Sequence, residues 1–378
     1  MLTRDQFLEG WREAFAMSEE EGAALFDRID AQRTRDFISG RRRRQTPGEV
    51  DVSELSNAIK LSQMGTLVQR CRAKGRLYHA ALDEEECAAL RRLLDRLDQV
   101  AARAKALDVR LMIDAEHTYF QPAIDHAVLR LSRRHNTTFP CVFGTYQAYL
   151  LDSSEKLSLD LARSEREGWH IGAKLVRGAY MVHERERARE RGYADPIQPT
   201  AEATHSNYDA MLDTLLLHCP CPERTSLMVA THNRSSVERV AAHLLAERRR
   251  AQELGGASSG GALPHSRQCT DDDSAAAASN TAYATATAAT AAAPSRVPTG
   301  NVSFGQLLGM ADHLTFTLAS HGLKAYKYVP YGPVREVLPY LMRRAQENAD
   351  ALSGAAEQRN MMLAEVRRRW IGRVDRVL

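Results

Sequence analysis

The chain has 378 residues, 44% of them hydrophobic and 26% charged, which supports a sizeable core in one large domain or two ordinary ones. Its 51 basic residues against 48 acidic ones give a net charge of +3, far from the one-sided excess of a nucleic-acid-binding protein. The 6 cysteines lack zinc spacing and indicate a reducing compartment, and no apolar run approaches the length of a membrane span.

The first part of the chain predicts short amphipathic helices. Phe7, Trp11 and Phe15 recur at helical spacing. Residues 30–36 then carry polar side chains at alternate positions, as a calcium loop does, but Arg35 stands where that loop needs glycine and Arg41 where it needs glutamate. We therefore predict that residues 1–80 form a helical spacer with a degenerate EF-hand-like segment rather than a working calcium site.

From residue 82 onward the pattern changes to an alternation of helical and extended segments. A long charged helix is predicted over residues 82–107 and runs directly into an extended segment at 109–115. Repeated strand-then-helix units imply a parallel sheet flanked by helices, which both a doubly wound sheet and a closed barrel satisfy. The further extended runs lie at 141–146, 172–176, 227–231, 302–308 and 326–330, each followed by a helical pattern.

Two other segments carry weaker signals. Cys219 and Cys221 flank a proline, which is a poor metal motif and more typical of a turn between a helix and a strand. Residues 251–300 are an Ala/Thr/Ser-rich tract with few large apolar side chains, which predicts a disordered insertion inside the second domain, residues 81–378.

Polar side chains gather at the C-terminal ends of the predicted strands. In parallel α/β proteins this end binds ligands, because loops and helix N-termini converge there. For any one residue, a strand-end cap or a satisfied buried group is the plainer interpretation, but the recurrence at successive strands favours a site. The residues are Asp114, Glu116, Gln147, Lys174, Arg177, His232, Asn233 and Tyr328.

The segment 331–348 begins with a proline-marked turn and predicts a helix. Tyr340, Arg343, Arg344 and Glu347 stand at i, i+3, i+4 and i+7, so they share one helical face. Two adjacent arginines could bind a small carboxylate, whereas an exposed face with Glu347 paired to Arg343 is the structural alternative. The residue pattern alone leaves both interpretations open.

An ordered series of motifs in this chain resembles those of proline dehydrogenases, closest to the mitochondrial, monofunctional branch. The resemblance covers residues 82–378 apart from the tract 251–300, and it implies an α/β fold of the (β/α)8 TIM-like barrel type. The motifs are LMIDAE at 111–116, TYQAY at 145–149, GAKLVRGAY at 172–180, ATHN at 230–233, FGQLLGM at 304–310, YKYVP at 326–330 and YLMRRAQE at 340–347.

The resemblance implies roles for individual residues. Arg343 and Arg344 would hold the carboxylate of L-proline, Tyr328 and Tyr340 would wall its ring, and Leu307 would add an apolar contact. Asp114 would lie near the substrate amine and Lys174 beside the flavin of FAD. The implied catalytic residues are therefore Asp114, Lys174, Tyr328, Tyr340, Arg343 and Arg344. The remaining cofactor-binding residues would be Ala115, Gln147, Val176, Gly178, Ala179, Tyr180, Thr200, Thr204, His232, Asn233 and Glu347.

By the same resemblance the enzyme would oxidise proline to 1-pyrroline-5-carboxylate and pass electrons from FAD to ubiquinone. This implies a mitochondrial location, on the matrix side of the inner membrane with peripheral contact to it. In relatives that oxidise hydroxyproline a smaller residue tends to occupy the position of Tyr328, so this tyrosine favours proline over hydroxyproline.

The strand-like runs number about six, whereas a closed barrel needs about eight. The early strand that bears a carboxylate-binding lysine in the family has no counterpart before Asp114, because Lys60 and Lys74 lie in other contexts. We therefore expect an incomplete barrel whose first strands precede this sequence. The alternative is a catalytically inactive homologue that serves as a binding partner.

Overall fold

The computed structural model describes residues 2–38, 48–50, 65, 67–74, 81–255 and 297–347, with isolated positions between 359 and 370. It divides into two compact units. Unit 1 comprises Met1–Thr214 with Cys219–Ala230, and unit 2 comprises Leu215–His218 with Thr231–Leu378. The predicted boundary between a helical spacer and a barrel domain, at residues 80 and 81, stays a prediction.

Unit 1 opens with two helices joined to a short antiparallel ladder. Strand β1 (Leu2–Thr3) pairs with β2 (Glu49–Val50), and the helices are α1 (Arg4–Ala14) and α2 (Glu19–Ile38). The Thr3 side chain accepts a hydrogen bond from the Gln6 amide, which caps α1. The expected amphipathic helices are confirmed, but residues 30–36 remain helical within α2 rather than forming a loop. Arg41 lies outside the described residues.

The rest of unit 1 is a repeat of strands and helices. Its strands β3 to β6 are hydrogen-bonded neighbours in that order and all run parallel. The elements are α3 (Glu84–Ala106), β3 (Leu111–Ile113), α4 (Gln121–His135), β4 (Val142–Gln147), α5 (Ser153–Glu167), β5 (Ile171–Val176), α6 (Met181–Arg191), α7 (Ala201–Leu217) and β6 (Thr225–Ala230). The last three residues of α7 are assigned to unit 2.

Asn136, at the C-terminus of α4, ties this helix to the start of the sheet. Its side chain is fully buried. The Nδ2 group donates to the carbonyl oxygens of Val142 at 2.8 Å and His170 at 2.9 Å. The Oδ1 atom accepts from the amides of Cys141 at 2.9 Å and Val142 at 2.8 Å. One side chain therefore satisfies backbone groups where β4 begins and where the chain enters β5.

Two cysteines lie buried beside the strands of unit 1. Cys141 directly precedes β4, and Cys219 lies between α7 and β6 with its Sγ 2.9 Å from Thr225 Oγ1. Burial raises the pKa of both thiols, because a thiolate is poorly solvated away from water. The turn expected around Cys219 and Cys221 is confirmed, since a 3₁₀ turn at Pro222–Arg224 leads into β6.

Unit 2 continues the repeat with a parallel strand pair. The register of β7 and β8 places Leu307 opposite Tyr328. Residues 256–296, most of the predicted insertion, lie outside the described residues. The elements are α8 (Arg234–Gly255), a 3₁₀ turn (Thr299–Asn301), β7 (Val302–Leu307), α9 (Asp312–Ser320), β8 (Lys324–Tyr328) and α10 (Val334–Glu347).

The predicted fold class is confirmed. The 6 strands β3 to β8 coincide within a few residues with the predicted extended runs. The neighbours β3–β4, β4–β5, β5–β6 and β7–β8 each pair in parallel. This is the strand-and-helix repeat of an incomplete (β/α)8 barrel. Within the described part of the chain, no helix combines the length and the apolar content that a membrane span requires.

Candidate functional site

The predicted cofactor residues of unit 1 lie at the C-terminal ends of neighbouring strands. Gln147 ends β4 and Val176 ends β5, and the two are partners in the parallel register. Lys174 lies two residues earlier on β5, so its side chain points to the same face of the sheet as Val176. The polar ends of β4 and β5 therefore meet at one edge, as expected for a ligand site in a parallel sheet.

Asp114 and Lys174 form an ion pair across the end of the sheet. Lys174 Nζ donates to Asp114 Oδ1 at 2.5 Å, and the lysine side chain is 15% exposed while the aspartate side chain is 49% exposed. The structure thus brings together the residue predicted near the substrate amine and the residue predicted near the flavin. Lys174 therefore presents a mostly buried cation at the strand end, paired with the more exposed Asp114.

Residues 114–118, which we call the crossing loop, leave β3 and pass over the end of β4. Gln147 Nε2 donates to the carbonyl oxygen of Glu116 at 2.9 Å. On the far side, the Tyr180 hydroxyl donates to Glu116 Oε2 at 2.5 Å. Ala115 lies within this loop, between Asp114 and Glu116. The crossing loop therefore connects the ends of β3, β4 and β5 through side chains.

Gly178, in the turn after β5, has a backbone conformation that favours glycine. Its φ is +130°, and a Cβ atom added there would collide with the ring of Tyr149. Burial, and then the nearby Glu184 carboxyl, raise the pKa of Tyr149, so its hydroxyl stays protonated at neutral pH. Ala179 and Tyr180 follow directly, and Tyr180 is the residue before α6. The turn 178–180 is thus fixed by backbone geometry and by the ring beneath it.

Thr200 and Thr204 lie at the N-terminal end of α7. The Thr200 hydroxyl accepts a hydrogen bond from the Ala203 amide at 3.1 Å, and the Thr204 hydroxyl donates to the Thr200 carbonyl oxygen at 3.3 Å. The Thr200 side chain therefore caps α7, whereas the Thr204 side chain bonds back to the preceding turn. His205 joins this end to the turn after β5, because its Nδ1 accepts from Arg177 Nε at 2.8 Å.

His232 and Asn233 follow β6 and belong to unit 2. The Nε2 atom of His232 accepts a hydrogen bond from the Leu307 amide at 3.0 Å, so a neutral ring carries its proton on Nδ1. Burial, and then the Lys327 cation, lower the pKa of His232. Asn233 Oδ1 accepts from the Ser236 amide at 3.1 Å and thereby caps α8.

The predicted substrate residues of unit 2 also lie at strand ends. Leu307 and Tyr328 are adjacent on β7 and β8, and the ring of Tyr328 lies 5.7 Å from that of Tyr340, at an angle of 35°. The backbone of α10 carries Arg343, Arg344 and Glu347, whose side chains lie outside the described residues. The structure therefore brings Leu307, Tyr328 and Tyr340 together, and the arginine roles stay predictions.

Sequence reasoning missed a set of contacts within unit 1, around the crossing loop and the first turn of α6. Glu184, on the first turn of α6, is fully buried and accepts hydrogen bonds from the amide and the hydroxyl of Thr118. His117 stacks against Tyr180 with ring centroids 4.1 Å apart. The polar alternation of Asp114, Glu116 and Thr118 was a usable signal, because alternate side chains of an extended segment face one side.

A parallel strand-and-helix repeat defines a protein of the barrel class, in which ligands are bound at the C-terminal ends of the strands. Comparison with known proteins specifies the family. The proline dehydrogenase family matches residues 12–257 and 265–357, and the chain belongs to that family. The resemblance drawn from the motifs is confirmed.

Relatives within the family carry two names. Mitochondrial proline dehydrogenase 1 of Homo sapiens is 42% identical over 286 residues, which cover 76% of this chain and 40% of that protein. The hydroxyproline dehydrogenase of Bos taurus is 38% identical over 305 residues, covering 80% of this chain and 56% of its own length. The chain thus spans less than two thirds of either relative.

Among solved structures, proline utilization A from Bdellovibrio bacteriovorus, inactivated by N-propargylglycine, shares the fold. It aligns with a TM-score of 0.51 and 18% sequence identity, over 92% of this chain and 32% of that one. At this identity the likeness concerns the fold.

Proposed function

We propose that this chain provides the catalytic part of an FAD-dependent proline dehydrogenase, which oxidises L-proline to 1-pyrroline-5-carboxylate. The observation that carries the proposal is the Asp114–Lys174 ion pair at the C-terminal end of the parallel strands. It joins a residue expected at the substrate amine to one expected at the flavin, in a member of the proline dehydrogenase family.

The side chains of unit 1 fit a flavin. Lys174 supplies a cation, which would favour the electron-rich reduced ring, and Gln147 supplies an amide at the adjacent strand end. Gly178 lets the turn after β5 pack directly on the Tyr149 ring with a positive φ, which fixes the backbone from that turn to Tyr180. When bound, FAD would supply the hydride acceptor. Ala115, Val176, Ala179, Thr200 and Thr204 remain proposed neighbours of the cofactor.

The described side chains of unit 2, those of His232, Leu307, Tyr328 and Tyr340, support the proposed roles. His232 presents an Nδ1–H donor, since its Nε2 accepts from the Leu307 amide. Together with Asn233 and Glu347 it would hold the polar part of FAD. Arg343 and Arg344 would bind the proline carboxylate, because paired guanidinium groups match its geometry. Leu307, Tyr328 and Tyr340 would enclose the apolar ring.

The protein's task is to position the reacting carbon, since proximity and orientation supply much of the barrier reduction in such a transfer. Asp114 would orient the substrate amine. Transfer of a hydride from the neighbouring carbon to FAD would turn the neutral amine into an iminium ion, which would lose its N–H proton to water to give the imine product. We propose ubiquinone as the electron acceptor and a mitochondrial, peripherally membrane-associated location. The names of the mitochondrial relatives support the location.

Hydroxyproline oxidation is the second candidate, because relatives named hydroxyproline dehydrogenase match at 38% and 39% identity. Tyr328 favours proline, since its large ring stands opposite Leu307, in the place where a smaller residue would leave room for a ring hydroxyl. Substrate choice between these two is a matter of a few side-chain atoms.

The direct test is to purify the chain with FAD, record the visible absorbance of bound flavin, and add L-proline or trans-4-hydroxy-L-proline under anaerobic conditions. We expect bound flavin that is bleached by proline. We expect Tyr328→Ser to shift the preference toward hydroxyproline, while Tyr331→Ser, at a side chain that is 95% exposed, leaves it unchanged. Bound flavin that hydroxyproline alone reduces would overturn the substrate assignment, and a chain that binds no flavin would overturn the cofactor assignment.

A further inference from the structure

Glu184 is a fully buried carboxyl group to which neither the family motifs nor the proposed chemistry assigns a role. Its Oε1 accepts from the Thr118 amide at 2.7 Å, and its Oε2 accepts from the Thr118 hydroxyl at 2.6 Å. His117 Nδ1 lies 3.3 Å from Oε1. A buried carboxyl without such partners would be costly, so these contacts account for its presence in the interior.

The contacts of Glu184 complete a regular series. Alternate residues of the crossing loop each bond to a residue that follows along β5 and α6. Asp114 accepts from Lys174, Glu116 accepts from Tyr180, and Thr118 donates to Glu184. The spacing of two on the loop is that of an extended segment, whose alternate side chains face one side.

The crossing loop needs this support because of where it runs. It starts at β3 and reaches residues of β5, which is two strands away, or roughly 10 Å. The carbonyl oxygen of Glu116 is held by Gln147 at the end of β4, midway across. Of the three side-chain bridges, the two that begin at Asp114 and Glu116 involve residues predicted or placed at the ligand site. The bridge from Thr118 ends on Glu184, whose side chain is fully buried.

We infer that Glu184 is a positioning residue, which anchors the crossing loop over the end of β4 and so presets Asp114 and Glu116 opposite Lys174 and Tyr180. The consequence for catalysis rests on the proposed function. The Glu184 carboxyl group contacts Thr118 and His117, neither of which is expected to touch proline or flavin, so it acts through the crossing loop.

Two variants of Glu184 and one of Thr118 separate anchoring from general stability. Glu184→Ala removes both acceptors. Glu184→Gln keeps one acceptor for the Thr118 amide and offers an NH₂ group to the Thr118 hydroxyl, so it should rescue much of the effect. Thr118→Val removes one bond from the loop side while keeping the side-chain shape. Glu190→Ala, at an exposed glutamate of the same helix, is the matched control.

The first readout is amide hydrogen exchange, which requires no cofactor. We expect Glu184→Ala to speed exchange at Thr118 and along the crossing loop by about 10- to 100-fold, with β4 and β5 unchanged. Thr118→Val should give a smaller increase, and Glu190→Ala none. Wild-type exchange of the crossing loop in folded Glu184→Ala overturns the inference. Should that variant not fold, wild-type exchange in Thr118→Val overturns it.

The second readout is the proline-driven reduction of bound flavin in the full chain. We expect Glu184→Ala to slow the reduction step by roughly 10²-fold, because a displacement of about 1 Å at the reacting groups has that effect. Flavin content should stay near wild type, and Glu184→Gln should recover most of the rate. Unchanged reduction kinetics in a variant whose crossing loop exchanges faster would overturn the positioning role. A loosened loop in a wild-type-like chain that never reacts with proline would support the anchor and overturn the proposed function.

Discussion

A single glycine controls the shape of the turn after β5. Gly178 combines a φ of +130° with a Tyr149 ring where a side chain would begin. We expect Gly178→Ala to destabilise the chain by about 3 kcal/mol, since backbone strain and overpacking both contribute. Gly192→Ala is the matched control, because Gly192 also has a positive φ, +68°, but open space around it, so we expect about 1 kcal/mol there.

Urea unfolding measures both glycine variants. A loss of less than about 1 kcal/mol for Gly178→Ala would show that the turn and the Tyr149 ring rearrange to accept the methyl group. Flavin binding adds a second criterion: the Gly178 variant should bind FAD more weakly, whereas the Gly192 variant should bind it normally.

At the residue scale, sequence reasoning found side chains but not their partners. The motif order identified Asp114 and Lys174 separately, and the structure shows them bonded although 60 positions separate them in the chain. Glu184 escaped notice because it lies in a helix of alternating charges that reads as solvent-exposed, with Val182 and Arg189 on its exposed surface. Long-range pairing depends on tertiary geometry, which local patterns do not encode.

At the scale of elements, Asn136 links the end of α4 to the first residues of β4. Replacing it by alanine leaves the amides of Cys141 and Val142 buried without their acceptor. We expect Asn136→Ala to cost about 3 kcal/mol of unfolding free energy. Thr137→Ala, at the exposed neighbouring position, should change it by less than about 0.5 kcal/mol.

Thermal or urea unfolding monitored by circular dichroism provides this measurement. An Asn136→Ala variant as stable as the wild type would mean that another acceptor, such as a water molecule, pairs with the two amides that lose Asn136. Asn136→Asp is informative as well, because it keeps the acceptor oxygen but removes the donors to Val142 and His170. Its free energy of unfolding should lie between those of the wild type and Asn136→Ala.

The strands were predictable because a short apolar run bounded by turn residues indicates a buried strand from the local sequence alone. β7, for example, begins at the predicted Val302 and ends one residue early. The end of α2 was less predictable: polar alternation over residues 30–36 suggested a loop, but the segment continues the helix. A formed helix extends readily into the residues that follow it, because helix formation is cooperative and extension needs no new nucleus.

At the scale of the whole molecule, the chain is organised as two compact units, with the change from unit 1 to unit 2 after Ala230. The repeat of strands and helices crosses this point without a change of pattern, so sequence periodicity does not reveal it. The division into units depends on long-range contacts. The periodicity of a sequence predicts helices and strands, but it does not predict which of them belong to the same unit.

The buried thiols of unit 1 make its opening measurable by alkylation. Cys141 and Cys219 are fully buried and have raised pKa values, whereas Cys71, Cys87 and Cys221 are partly exposed. Because a thiolate reacts and a buried thiol does not, iodoacetamide should modify the two buried thiols only when unit 1 opens.

We expect their labelling, followed by mass spectrometry, to be at least about 10³-fold slower than that of the partly exposed thiols. Fast labelling of Cys141 in native buffer would contradict the burial of the β4 start. Pulses of the same reagent at successive times after dilution from urea would show when Cys141 and Cys219 become buried during folding. The two cysteines thus serve as built-in probes of folding, and neither has a role in the proposed chemistry.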